Sequence, residues 1–192
     1  STSRVCGAED DATRRLDAAV AQIREAVGVH AYSTDGVPMA AVVLDLCVDS
    51  GDTIAVAESC TGGLIAAHCT DLAGSSQWFE RGFVTYSNAA KVEMLGVPAA
   101  LIEQEGAVSE AVARAMADGA LAHSQAHVSL AVTGVAGPTG GSEAKPVGTV
   151  WFAWCVNGET HSEMQHFAGD RAAIRAATVR YALQRLLGFL LG

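Results

Sequence analysis

The chain has 192 residues, half of them apolar and 17% charged, and a formal net charge of −9. That length supports one well-buried domain, no apolar run reaches the roughly 20 residues that span a bilayer, and the acidic balance argues against a nucleic-acid partner, which would meet a basic face. The five cysteines, Cys6, Cys47, Cys60, Cys69 and Cys155, are widely spaced without a C-x-x-C pair, so no zinc knuckle or disulfide framework is indicated; with no leader-like pattern, reduced thiols and cytoplasmic residence are the expectation.

Residues 1–33 begin polar, then place Leu16, Val20, Ile23 and Val27 on one helical face before Val29-His30-Ala31-Tyr32. They predict a helix and strand attached to a main body over residues 34–192. Val37, Ala40, Val43, Leu44 and Cys47 recur at helical spacing, Gly51-Asp52 punctuates, and Thr53 to Ala57 reads as a buried strand. Leu64 to about Leu72 continues as an apolar helix that Gly74-Ser75-Ser76 breaks. Gly82 to Tyr86 predicts a strand, Ser87-Asn88 caps a short helix carrying Lys91, and Gly96-Val97-Pro98 ends it.

A brief helical piece over 99–104 precedes Ser109-Glu110, which opens a helix with Val112, Met116 and Ala120 running to about His123. His127 to Thr133 alternates as a strand, and four glycines with Pro138 fill the loop from Gly134 to Gly141. Asn157-Gly158 between Val147 to Val156 and Glu159 to Phe167 signals a hairpin. From Asp170 onward Ile174, Ala177, Thr178, Tyr181, Leu186, Leu187 and Leu190 mark one face of a closing helix. Strands alternating with helices, then a hairpin, predict an α/β fold: a three-layer α/β/α sandwich with a mixed, mostly parallel sheet and a C-terminal hairpin. Apolar helix faces at both ends of the chain predict a homo-oligomer.

Three features converge on the carboxyl edge of such a sheet, where ligands usually bind. The first is Ala57-Glu58-Ser59-Cys60-Thr61-Gly62-Gly63, where a strand turns into a helix and exposes amides suited to an anion or oxyanion. Taken alone, Ser59 reads first as a cap or turn residue. The second is Tyr86 with Lys91. Only two lysines occur, Lys91 and Lys145, and Lys91 sits among Ala89, Ala90, Val92 and Met94, where desolvation would lower its pKa and let it serve as base to a serine nucleophile.

The third is the loop Thr133-Gly134-Val135-Ala136-Gly137-Pro138-Thr139-Gly140-Gly141, whose amides suit a phosphate or sugar, with Lys145 beside it. Arg171 and Arg175, one helical turn apart, suit an anion clamp or a solvated face. Cys60 is a second candidate nucleophile. His123 and His127 lack the intervening Glu of a zinc helix, and Trp151 and Trp154 read as packing.

A-E-S-C-T-G-G at Ala57 to Gly63, V-T-Y-S-N followed by Lys91, T-G-V-A-G-P at Thr133 to Pro138, K-P-V-G-T-V at Lys145 to Val150 and G-D-R at Gly169 to Arg171 stand in that order. Together they resemble the C-terminal domain of competence/damage-inducible protein CinA, a family that includes nicotinamide mononucleotide amidohydrolase. The resemblance covers about Thr34 to the C-terminus and makes residues 1–33 look like the remnant of a preceding domain.

It implies deamidation of a mononucleotide on an α/β/α domain without metal or cofactor, with Ser59 as nucleophile, Lys91 as general base and Tyr86 relaying or positioning the proton. Amides near Cys60 and Thr61 would hold the oxyanion, and Cys60, Thr61, Gly62 and Gly63 would bind the substrate. Thr133, Gly134, Ala136, Gly137, Lys145 and Arg171 would bind the rest of the small-molecule substrate. The competing expectation is a non-catalytic nucleotide-binding or regulatory module linked to competence or the DNA-damage response.

Overall fold

The computed structural model describes residues 39–191 together with Arg14, Leu16, Ala18, Ala19 and Gln22, which are helical. Val20, Ile23, Val27, Val37 and the expected strand at 29–32 lie outside the described residues. The elements are α1 (Met39–Ser50), β1 (Ile54–Glu58), α2 (Leu64–Thr70), β2 (Phe79–Val84), α3 (Asn88–Leu95), α4 (Ala99–Glu105), α5 (Glu110–Ala122), β3 (Val128–Gly134), β4 (Thr149–Val156), β5 (Glu159–His166) and α6 (Arg171–Leu191), with a 3-10 turn at Ser75–Gln77. None of the described helices is long and apolar enough to cross a membrane.

The five strands form one sheet in the order β2-β1-β3-β4-β5. β1 pairs in parallel with β2 and β3, while the β3–β4 and β4–β5 ladders are antiparallel. Only β4 therefore runs against the others. The hairpin turns on Asn157 and Gly158 at φ 53 and 79, the positive values its two-residue turn demands. The chain ends on the long helix α6 rather than on the hairpin, which precedes it. β2 also begins earlier than its apolar pattern suggests, because Ile54 N–H donates to Trp78 O at 2.7 Å and the ladder starts directly after. Glu80 and Arg81 belong to this strand because it is an open edge, where water accepts polar side chains.

Alternation along the strands sorts the core into two layers. Ile54, Val56, Leu130, Val132, Phe152 and Trp154 pack under α1, α2 and α6. Ala55, Ala57, Ala131 and Ala153 face α3, α4 and α5. Trp154 carries its indole N–H to Ala182 O at 3.0 Å, which ties α6 to the sheet and bears out the packing role expected of this tryptophan.

The alanine-lined face lets its helices approach closely. At Gly119 of α5, an added Cβ would stand 2.1 Å from Leu95 O of α3. Overpacking there costs about 3 kcal/mol and the helix propensity of alanine offsets about 1. Gly119→Ala should therefore lower the unfolding free energy by about 2 kcal/mol, measured by urea denaturation.

Candidate active site

β1 delivers the centre of the site. Past the strand end, Ser59 continues the parity of Ala55 and Ala57 toward α3, whereas Glu58 continues that of Ile54 and Val56 toward α2. Neighbouring strands hold this end from both sides: Ser59 N–H donates to Val132 O at 3.1 Å and Thr85 N–H to Glu58 O at 2.8 Å. Gly62 and Gly63 then turn the chain into α2 with φ of 60 and 97, a path that strains any residue with a side chain.

Lys91 comes from α3, whose start is capped by Ser87 Oγ accepting from Ala90 N–H at 3.0 Å. Its side chain is 1% exposed. Its Nζ lies 3.0 Å from Ser59 Oγ and 2.8 Å from Thr85 O. Burial holds the ammonium below the ordinary lysine pKa, with the weaker opposing influence of Cys60. A lysine poised in this way has a larger neutral fraction near pH 7 and can take a proton from a hydroxyl at hydrogen-bond distance.

Cys60 turns away into the α2-side core, 5% exposed. Desolvation is the main reason its thiol is pushed up to about 11. Near pH 7 it is protonated and lacks the thiolate that a cysteine nucleophile needs. Ser59, beside Lys91, is the better placed of the two.

The amides of the turn are divided between distinct acceptors. Gly63, Ile65 and Ala66 donate to the Glu58 carboxylate, Gly62 to Ser59 O and Leu64 to Thr61 O. The amides of Cys60 and Thr61 lie outside that set and against the Cys60 thiol. From the far side Arg175 Nη2 of α6 donates to Thr61 O at 2.7 Å.

Thr133 lies beside this turn on β3, its Oγ1 donating to Ala107 O at 2.7 Å. The glycine-rich loop that follows is pinned at three points. Gly148 N–H donates to Val135 O at 2.8 Å, and Lys145 Nζ donates to Glu105 O at 2.8 Å. At the third, Arg171 donates from Nη1 to Gly137 O at 2.8 Å and from Nη2 to Tyr86 Oη at 3.0 Å. The structure thus brings Ser59, Lys91, Cys60, Thr61, Gly62 and Gly63 to one turn, and joins Tyr86, Arg171 and the loop in a second group. Tyr86 is 61% exposed. Its hydroxyl engages Arg171, while the partners of Lys91 are Ser59 and Thr85. Arg171 and Arg175, considered as a joint anion clamp, each hold a protein oxygen instead.

The family model of the CinA C-terminal domain matches residues 37–190. The chain belongs to the CinA C-terminal domain family. Its curated relatives include the nicotinamide-nucleotide amidohydrolase PncC of Escherichia coli, 55% identical over 137 residues that cover 71% of this chain and 83% of the relative. PncC of Pseudomonas putida is 57% identical over 134 residues, 70% and 84% of the two chains. Among solved structures, the competence/damage inducible protein CihA of Agrobacterium tumefaciens superposes with a TM-score of 0.77 at 46% identity, covering 79% of this chain and 93% of that one. Its Klebsiella pneumoniae counterpart, the competence damage-inducible protein A, reaches 0.77 at 40% identity, with 80% and 95% covered.

Within this CinA C-terminal domain, two participants escaped the reading of the sequence, the Glu58 side chain and the Thr85 carbonyl, while Arg175, expected in an anion clamp, instead holds Thr61 O. A signal for Glu58 was present. The strand pattern sets it opposite Ser59, and the helix start Gly62-Gly63 offers no side chain to cap its own amides. Thr85 carries no such local mark, and the spacing that marked Arg175 did not name its partner, because both contacts depend on which strand and helix lie alongside.

Proposed function

We propose that this CinA C-terminal domain hydrolyses the carboxamide of nicotinamide mononucleotide to nicotinic acid mononucleotide and ammonia. The amidohydrolase names of the relatives, at 55% and 57% identity, support the reaction class. The observation that carries the mechanism is the buried hydrogen bond of 3.0 Å between Lys91 Nζ and Ser59 Oγ.

Neutral Lys91 accepts the hydroxyl proton as Ser59 Oγ bonds to the carboxamide carbon, and the carbonyl π pair moves to oxygen. The Cys60 and Thr61 amides receive that oxyanion, a contribution of about 3 kcal/mol for each well-aligned donor. When the tetrahedral adduct collapses, the C–N bond breaks and Lys91 returns its proton to the leaving nitrogen, which departs as ammonia. Water then attacks the acyl ester, gives a proton to Lys91, and the carboxylic acid leaves as Ser59 recovers its hydrogen. Tyr86 and Arg171, joined with Gly137, meet the nucleotide portion; Arg171 supplies the charge that a phosphate needs.

The test is ammonia release from nicotinamide mononucleotide, compared with other carboxamide mononucleotides. Turnover fastest with the nicotinamide compound is expected. Calorimetric binding without any turnover would instead favour a regulatory module. Arg171→Met should raise KM roughly ten-fold while leaving kcat within about three-fold, the signature of an interaction made equally in ground and transition states.

A further inference from the structure

Glu58 is fully buried, and its carboxylate is spent on backbone. Oε2 accepts from Gly63 N–H at 3.0 Å and Ile65 N–H at 3.1 Å, and Oε1 accepts from Ala66 N–H at 2.8 Å. These amides would otherwise be the unsatisfied donors of a helix start. Gly63, the N-cap of α2, is left-handed and makes no side-chain cap of its own. The cap is supplied from the preceding strand, across the five residues that contain the proposed nucleophile.

We propose that Glu58 is a positioning residue for the reaction, fixing the path from β1 into α2 so that Ser59 Oγ is aimed at Lys91. The proposal rests on Ser59 being the nucleophile. Two consecutive glycines with positive φ leave a turn with little conformational preference of its own. A side chain anchored in β1 and bonded to residues on the far side of that turn removes the freedom. Because successive strand residues face opposite ways, anchoring the Glu58 side chain toward α2 orients Ser59 toward α3.

The main chain of Glu58 contributes to the same end. Its carbonyl accepts from Thr85 N–H at 2.8 Å, and the Thr85 carbonyl accepts from Lys91 Nζ at 2.8 Å. One residue thus sets both partners of the Ser59–Lys91 contact. The carboxylate occupies the amides of Gly63, Ile65 and Ala66 at the start of α2, which leaves those of Cys60 and Thr61 outside its set.

All three partners are donors, so an amide in place of the carboxylate would turn an NH2 group toward at least one of them. Glu58→Gln should lower kcat about 100-fold, the scale of a small misplacement of reacting groups, with KM within about three-fold. The acid limb of the pH profile should not move, because Glu58 exchanges no proton with substrate. Glu58→Asp keeps the charge but is one methylene short, and an intermediate kcat is expected.

The rate at which a fluorophosphonate probe labels Ser59 gives a readout free of the nucleotide and should fall in parallel. A folded Glu58→Gln protein with parental kcat and labelling rate would overturn the proposal, as would a displaced acid limb. Should Glu58→Gln fail to fold, Glu58→Asp decides: parental kcat overturns the proposal, and reduced kcat with parental KM upholds it. Failure of the underlying reading is separate, since Ser59→Ala would then turn over and label like the parent.

Discussion

Ser59→Ala is expected to lose ammonia release by about 10⁴-fold or more, the scale on which removal of a nucleophile silences a hydrolase. The fold should survive. Ser59 N–H keeps its bond to Val132 O, and Lys91 Nζ keeps Thr85 O at 2.8 Å, so only one neutral hydrogen bond disappears, worth about 1 kcal/mol. Ammonia release measured beside thermal unfolding separates the two effects. A Ser59→Ala protein as fast as its parent would remove the serine from the mechanism.

Lys91→Met should bring a comparable loss, about 10³-fold or more, because it removes the buried amine hydrogen-bonded to Ser59 Oγ and proposed to take its proton. The parent should show the matching pH dependence. Only the neutral amine accepts a proton, and burial places the Lys91 pKa below the ordinary value of 10.5. Activity is therefore expected to rise with pH through that lowered pKa and fade on acidification as the ammonium forms.

Stability carries the same sign. Between the lowered folded pKa and the ordinary unfolded one, the unfolded chain binds more protons, so the folding free energy of the parent improves as pH rises through that window. The penalty of burying the cation is present in full below the folded pKa and relieved by pH 10.5. Methionine at 91 has no proton to bind. The unfolding free energy of the parent minus that of Lys91→Met should then become more favourable to the parent between neutral pH and pH 10. A difference independent of pH would mean that Lys91 titrates alike in both states.

The Glu58 contacts explain why this buried pair is dependable. A serine and a lysine that are 32 positions apart meet at 3.0 Å only if both flanking strands and the intervening turn hold their places. Glu58 and Thr85 link those elements through three short hydrogen-bonded steps, which makes the Ser59–Lys91 contact a property of the sheet edge and not of a mobile loop.

Much of this was written in the residues themselves. A short buried run after Gly51-Asp52 marked β1, alternation marked β3, Asn157-Gly158 marked the hairpin, Ser87 and Ser109 marked helix starts, and the five ordered motifs marked the family. These are local signals, set by backbone sterics and by the need to bury apolar faces. The scarcity of lysine and the apolar company of Lys91 likewise indicated its burial. Tertiary structure alone decided the early start of β2, the tie of Tyr86 to Arg171, the reach of Arg175 to Thr61 and the capping of α2 by Glu58. Each of these depends on which strand lies beside which and on the distances across the sheet edge, and a hydrogen bond between remote residues leaves no period in the sequence from which it could be read.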